Sequence, residues 1–296
     1  MVYELAKQDE RIVFIGSDLG AGVLEDFKRE MPDRFFMEGI GEANMVGMAA
    51  GMALSGKIVY CHTIATFLTR RAFEQVALDV GLHRANVRLI GAGGGAVYAP
   101  LGPTHLATDD IALMRTIPGM TVISVCDAPG MEQLMPETVN FQGPIYIRLG
   151  RGGDPVVPRP ATTDGLPMLL RQGNGPLFIT HGTMTQVALQ AADAVDARVL
   201  YVPVVKPLNK DGIFKHAGIG QHIVTIEDHS VVGGLGSAVL ELFADEGGHM
   251  DLSFTRIGYP DVFPHGYGTQ DEMRARYGLT AEAIVAAVKG SHVGVS

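Results

Sequence analysis

Short runs of β-branched and aliphatic residues, separated by longer amphipathic stretches, constrain this chain more than any other feature. RIVFIG (11–16), KIVYC (57–61), NVRLIG (86–91), MTVISV (120–125) and PIYIRL (144–149) are bounded by Gly, Pro or Asp and read as strands buried on both faces. Between them the pattern predicts helices over 43–54, 67–83, 109–115 and 128–140. Such alternation builds parallel βαβ units with helices on both sides of the sheet. A second series follows: PLFIT (176–180), a helix over 184–195, ARVLYV (197–202), a helix over 211–217, HIVTIED (222–228), a helix over 235–245, DLSFTRI (251–257) and a terminal helix over 281–289. The stretch between the series is rich in Pro, Gly and Asp. The expected architecture is α/β, with two three-layer domains of mainly parallel sheet at 1–152 and 176–290, joined by a linker at 153–175.

Composition narrows the partners. With 47% hydrophobic and 19% charged residues among 296, the chain buries substantial cores, which excludes disorder. A formal net charge of −9 argues against nucleic acid or an anionic membrane surface and leaves a small molecule as the expected ligand. Cys61 and Cys126 sit in strand-like runs without metal-ligand spacing, so both are expected as reduced core residues. The N-terminus is charged and no window approaches 18 uninterrupted apolar residues, so the expected compartment is the cytoplasm.

In an open sheet of this kind, ligands gather beyond the carboxyl ends of the strands. Four segments there hold residues suited to chemistry. Glu38 and Glu42 precede an apolar helix in which Gly47 and Gly51, one turn apart, allow close backbone approach. A carboxylate at such a start is either a proton-exchanging group or a first-turn acid stabilised by the helix dipole. Phe67 opens the next helix as plain core or as a flat face, with Arg70 and Arg71 one turn later, where the dipole disfavours cations. GAGGG (91–95) permits a tight turn and close approach of a ligand, and His105 follows in a Gly-Pro-Thr-His turn. Arg148 and Arg151 end a strand and offer planar forks for carboxylate or phosphate.

The order and spacing of GIGEANMVGMAAGMAL, TFLTRRAFEQV, GPTHLATDDIALMRTIPGMTV and IRLGRG resemble the pyrimidine-binding domain of transketolase-like enzymes. THGTMTQVALQAADAV, the turn VKPLN and HIVTIEDHSVVGGLGSAVLELF resemble their C-terminal domain, so the likeness runs from about Arg11 to Lys289. The resemblance implies thiamine diphosphate as cofactor. It places Glu42 on a ring nitrogen of the aminopyrimidine, Phe67 against its face, and Ile64, Arg70 and Asp18 at the same cofactor site. His105 then faces the reacting substrate, and Arg151, Arg148 and Leu101 belong to the substrate site. Leu101 stands where transketolases commonly carry an Asp that recognises a donor hydroxyl, which implies a changed donor.

The family also binds the diphosphate through Mg²⁺ at a Gly-Asp-Gly motif followed by Asn, and no Gly-Asp-Gly occurs here; Lys210-Asp211-Gly212 is the nearest string. The resemblance therefore implies one half of a split enzyme. An N-terminal subunit would carry the diphosphate domain and Mg²⁺, the assembly would be an α2β2 heterotetramer, and a two-carbon ketol or acyl unit would be transferred. Two alternatives stand beside it. One is the β subunit of a 2-oxoacid dehydrogenase E1-type enzyme. The other is a nucleotide-binding or regulatory module, with Gly234 and Gly236 as a phosphate cradle at a helix entry. His181, His216, His222 and His229 show no metal spacing and are expected to be structural or interfacial.

Overall fold

Strands buried on both faces require helices on both sides, and the computed structural model, which describes residues 1–17, 24–160, 166–218, 221–246 and 253–290, supplies them. The first domain runs α1 (Val2–Gln8), β1 (Ile12–Gly16), α2 (Glu25–Glu30), β2 (Phe35–Met37), α3 (Glu42–Leu54), β3 (Ile58–Ile64), α4 (Phe73–Gln75), β4 (Val87–Ala92), α5 (Asp110–Thr116), β5 (Thr121–Ser124), α6 (Ala128–Asn140) and β6 (Ile145–Leu149). Two π-helical turns, Phe67–Arg71 and Val76–Leu82, flank α4. The second runs β7 (Met168–Arg171), β8 (Leu177–Thr180), α7 (Met184–Ala192), β9 (Arg198–Tyr201), β10 (Val204–Lys206), α8 (Lys210–Phe214), β11 (His222–Ser230), α9 (Leu235–Asp245), β12 (Ser253–Tyr259), α10 (Gln270–Arg276) and α11 (Ala281–Val288).

The first sheet has the order β10-β5-β6-β4-β3-β1-β2 and the second β12-β11-β8-β9-β7. Both are parallel except at one edge, where β10 lies antiparallel to β5 and β7 antiparallel to β9. The two-domain α/β plan with mainly parallel sheets is thus present. Two details correct the sequence expectation. Met168–Arg171, within the stretch read as linker, is an edge strand whose Met168 faces Tyr201 across the pair. β10 follows β9 in the chain yet joins the first domain's sheet, with Val204 opposite Ile123. Elements of three or four residues carry too little periodicity to be read from a pattern.

One hydrophobic cluster runs from Val13 and Met45 through Val122 and Val205 to Leu177, Ile223 and Phe243, so the two domains share a core. Within that dry boundary lies a charged network. Arg148, at the end of β6 and 4% exposed, donates from Nε to Asp110 Oδ2 at 2.8 Å and from Nη2 to the carbonyls of Ala107 and Asp228 at 3.0 and 2.8 Å. Tyr146 Oη donates to the same Asp110 oxygen at 2.7 Å, and Arg274 Nη2 donates to Asp228 Oδ2 at 2.5 Å. A buried charge is tolerated only when paired and hydrogen-bonded, and removing one partner of such a pair typically costs about 3–5 kcal/mol.

The glycines after β4 make room for this network. A Cβ on Gly94 would lie 2.6 Å from Arg148 Nε, one on Gly93 would overlap the Tyr98 ring, and one on Gly95 would overlap the Asp228 carboxylate. The run was expected to admit a ligand; the groups that approach its backbone are the chain's own.

Two outcomes follow from the network. Gly95→Ala places a side chain at φ +67 and against Asp228, so urea unfolding should show a loss of about 2–5 kcal/mol. The second concerns pH. Burial alone would raise the carboxyl groups of Asp110, Glu227 and Asp228. The Arg148 guanidinium beside Asp110, the Arg274 and Arg148 guanidinium groups beside Asp228, and the contacts of Glu227 with His181 and the Gly236 N–H outweigh burial and hold all three below the ordinary range. Their stabilisation is complete above the unfolded carboxylate range, about pH 4, and is lost as pH falls through the depressed folded values. The urea midpoint should hold steady from neutral pH to about 5 and drop steeply below about 4; a flat midpoint down to about pH 3 would contradict this.

Candidate functional site

Glycine at 39, with φ +65, turns the chain out of β2 and delivers Glu42 to the first position of α3. Its side chain is 2% exposed although Ile40, two residues earlier, is 82% exposed, so the chain enters from the surface and buries its acid at once. The carboxylate has a partner that sequence spacing left unassigned: Arg71 Nη1 donates to Glu42 Oε2 at 2.8 Å. The Arg71 guanidinium also lies 4.6 Å from the centroid of Phe67. The Phe67 ring in turn meets His105 edge to face, with centroids 5.1 Å apart and planes at 70°. Glu42, Arg71, Phe67 and His105 therefore form one contiguous row from three loops of one sheet's carboxyl edge.

The backbone of Phe67–Arg71 is a π-helical turn, in which one extra residue per turn rotates every following side chain. That rotation sends Arg71 to Glu42 and turns Arg70 away. Arg70 Nε instead donates to Asp109 Oδ1 and Oδ2 at 3.0 and 2.9 Å, and its Nη2 donates to the Leu106 carbonyl at 3.1 Å. Arg70, expected at the cofactor, is a strut that ties the Phe67 turn to the loop carrying His105. Ile64 is half-buried at the end of β3, just before that turn. Asp18 lies outside the described residues.

The substrate candidates separate. Leu101 and Arg151 share a cleft of about 200 Å³ with Tyr98, Thr269 and Gln270, between the loop after β4 and the start of α10. Arg151 also borders a larger cavity, about 370 Å³, with His62, Ala92, Cys126 and Leu149 at the ends of β3 to β6. Arg148, by contrast, is buried at the domain boundary with Nε and Nη2 spent on Asp110 and two carbonyls, which corrects its expected place in the substrate site.

The Gly-x-Gly entry of α9 is already filled. Glu227 Oε2 accepts from the Leu235 N–H at 2.7 Å and Oε1 from the Gly236 N–H at 2.9 Å, and a Cβ on Gly234 would overlap Glu227 itself. The anion at this helix start is internal, which overturns the phosphate-cradle reading. Among the described residues no group of three or more His, Cys, Asp or Glu is placed to hold a metal ion, and no helix is long and apolar enough to cross a membrane. His181 bonds Ser124 Oγ through Nδ1 at 2.8 Å, His222 bonds Thr255 Oγ1 at 2.9 Å, and His229 reaches α5 across the boundary. The row thus joins a buried carboxylate, an aromatic ring and an imidazole, groups chemically suited to a flat nitrogen heterocycle and a hydroxylated substrate.

Comparison with known proteins matches this geometry to a family. Residues 1–153 match the model of the transketolase pyrimidine-binding domain and residues 167–284 that of the transketolase C-terminal domain. The chain is 36% identical to the 6-deoxy-6-sulfo-D-fructose transketolase subunit SqwH of Clostridium sp. (strain MSTE9), over 97% of this chain and 90% of that protein. It is 36% identical to one subunit of the apulose-4-phosphate transketolase of Phocaeicola vulgatus, over 95% of this chain and 91% of that one. A solved split-gene transketolase, described as an inactive beta4 tetramer, superimposes with a TM-score of 0.86 at 35% identity, covering 98% of this chain and 95% of the other. The row of residues at the edge of the first sheet, the two-domain plan and these matches agree: the chain belongs to the transketolase family, as a pyrimidine-binding domain followed by a C-terminal domain.

Proposed function

We propose that this chain is the C-terminal subunit of a split, thiamine diphosphate-dependent transketolase that moves a two-carbon ketol unit from a ketose to an aldehyde. The carrying observation is Glu42, a fully buried carboxylate at a helix start, linked through Arg71 to the face of Phe67. A buried acid beside an aromatic ring fits an aminopyrimidine, whose ring nitrogen needs a proton partner and whose plane needs a flat neighbour. When bound, thiamine diphosphate supplies a nucleophilic carbon and an electron sink for cleaving the donor's carbon–carbon bond. Glu42 would hold the ring nitrogen through Oε1, since Arg71 engages Oε2. Phe67 would orient the ring, and His105, packed on the Phe67 edge, would move a proton at a donor hydroxyl. Arg151, in the cleft with Leu101, would hold the anionic end of the sugar.

Relatives of nearly the same length are named as transketolase subunits, and the solved relative is described as split. These names support a partner subunit; in our reading that partner is N-terminal, brings the diphosphate domain and Mg²⁺, and joins this chain in an α2β2 assembly. The surface beside Glu42 fits such a partner: Ile40, Leu54, Leu78 and Leu82 are exposed around α3, whose exposed Gly51 allows close backbone approach. The two relatives carry the names of a sulfonated and a phosphorylated sugar respectively. That supports reading Leu101, 52% exposed in the cleft, as the mark of a donor other than the usual pentose phosphates. Two unpaired buried thiols, Cys61 and Cys126, suit the reducing cytoplasm.

The decisive experiment copurifies this chain with candidate chains bearing Gly-Asp-Gly and assays thiamine diphosphate binding and ketose cleavage. Failure of every pair to bind cofactor overturns the proposal, and pyruvate decarboxylation in place of ketose cleavage redirects it to 2-oxoacid chemistry. In an active pair, Glu42→Gln should lower kcat by about 10²–10⁴-fold with the fold intact by circular dichroism. Xylulose 5-phosphate with ribose 5-phosphate should turn over well below the usual enzyme range of about 1–10³ s⁻¹; ordinary rates with that couple would refute the changed-donor reading.

A further inference from the structure

The first N–H groups of a helix have no partner within it, and an Asp at the N-cap ordinarily accepts from the third residue's N–H. Asp109 occupies that position before α5, yet its side chain makes no capping bond. Both of its oxygens are taken by Arg70 Nε, at 3.0 and 2.9 Å. The N–H left over, that of Ala112, donates instead to Nε2 of His229, 3.2 Å away in the other domain. The second ring nitrogen, Nδ1, sits 2.8 Å from the Ser230 carbonyl, where only a donor fits, so Nε2 is the accepting nitrogen. His229 is fully buried, and its neighbour fixes the reach: Ser230 N–H donates to the Thr108 carbonyl at 2.7 Å.

We propose that His229 is a positioning residue. It caps α5 from the C-terminal domain and thereby leaves Asp109 to hold Arg70 and, with it, the turn that presents Phe67 and Arg71. The coupling is a competition for one carboxylate. With His229 in place, Ala112 is satisfied and Asp109 serves Arg70; without it, Asp109 swings back to its own helix, Arg70 is released, and Phe67–Arg71 loosens. Leu106, whose carbonyl also receives Arg70, loosens with it, next to His105. The importance of this coupling for turnover rests on the proposed roles of Glu42, Phe67 and His105; the coupling itself does not.

Amide hydrogen exchange on the full chain tests the coupling without cofactor or partner. His229→Leu should speed exchange about 5- to 30-fold at Ala112 and across residues 66–72, the factor that corresponds to a lost cap. Amides of β8 and β9 should not change. His229→Gln, which returns a carbonyl oxygen near the position of Nε2, should restore protection in both places. In an Arg70→Gln background, which already frees Asp109, His229→Leu should add nothing across 66–72. The proposal is overturned if His229→Leu leaves 66–72 unchanged, if exchange rises equally everywhere, or if the two substitutions add. A wild-type pair that binds no thiamine diphosphate would sink the functional reading while leaving the exchange result to decide the coupling.

Discussion

A buried guanidinium at the centre of the domain boundary ties the two domains together. Arg148 reaches the helix-start acid Asp110, the carbonyl of Ala107 in the loop before it, and the carbonyl of Asp228 on the second sheet, all from a position closed to solvent. The partners come from two segments, residues 107–110 and Asp228, so the planar fork fixes the position of one against the other as well as satisfying the charge. The loop that carries Leu101 and His105 lies between the glycines that make space for Arg148 and the helix that Arg148 anchors. The geometry of the site is therefore downstream of a group that never touches it.

Burial and chain order decide which features were legible in the sequence. Strand identity was most legible where a run is buried throughout, as in β1, where all five residues are covered. Glu42, Phe67 and His105 were legible because each follows a strand in a fixed order along the chain. Arg70 and Arg71 were not separable, since the π-helical turn adds a residue that no helical period anticipates. Arg148 carried the signature of an anion-binding residue and does bind a carboxylate, but it is that of Asp110, with backbone carbonyls beside it, through folding that spacing cannot report. His229 was legible only as a structural or interfacial residue, because its partner is a backbone N–H 117 positions away.

Glycine is subject to the same ambiguity. Gly93 to Gly95 look like a place cleared for a ligand and the Gly234–Gly236 pair like one cleared for phosphate, and in both the cleared space is filled from within, by Tyr98, Arg148 and Asp228 in the first case and by Glu227 in the second. A close-approach signal in sequence says that something comes near the backbone. It does not say whether that something is a ligand or a buried carboxylate of the same chain.

The three-residue strand β10 carries a consequence out of proportion to its size. Because Val204 and Lys206 pair with β5, and Lys206 Nζ donates to the carbonyls of Arg115 and Ile117 at 2.7 and 2.6 Å, the second half of the chain supplies an edge to the first half's sheet and an end to its helix α5. A break in the connecting stretch would cut one covalent thread and leave the sheet, the shared core and the helix end intact.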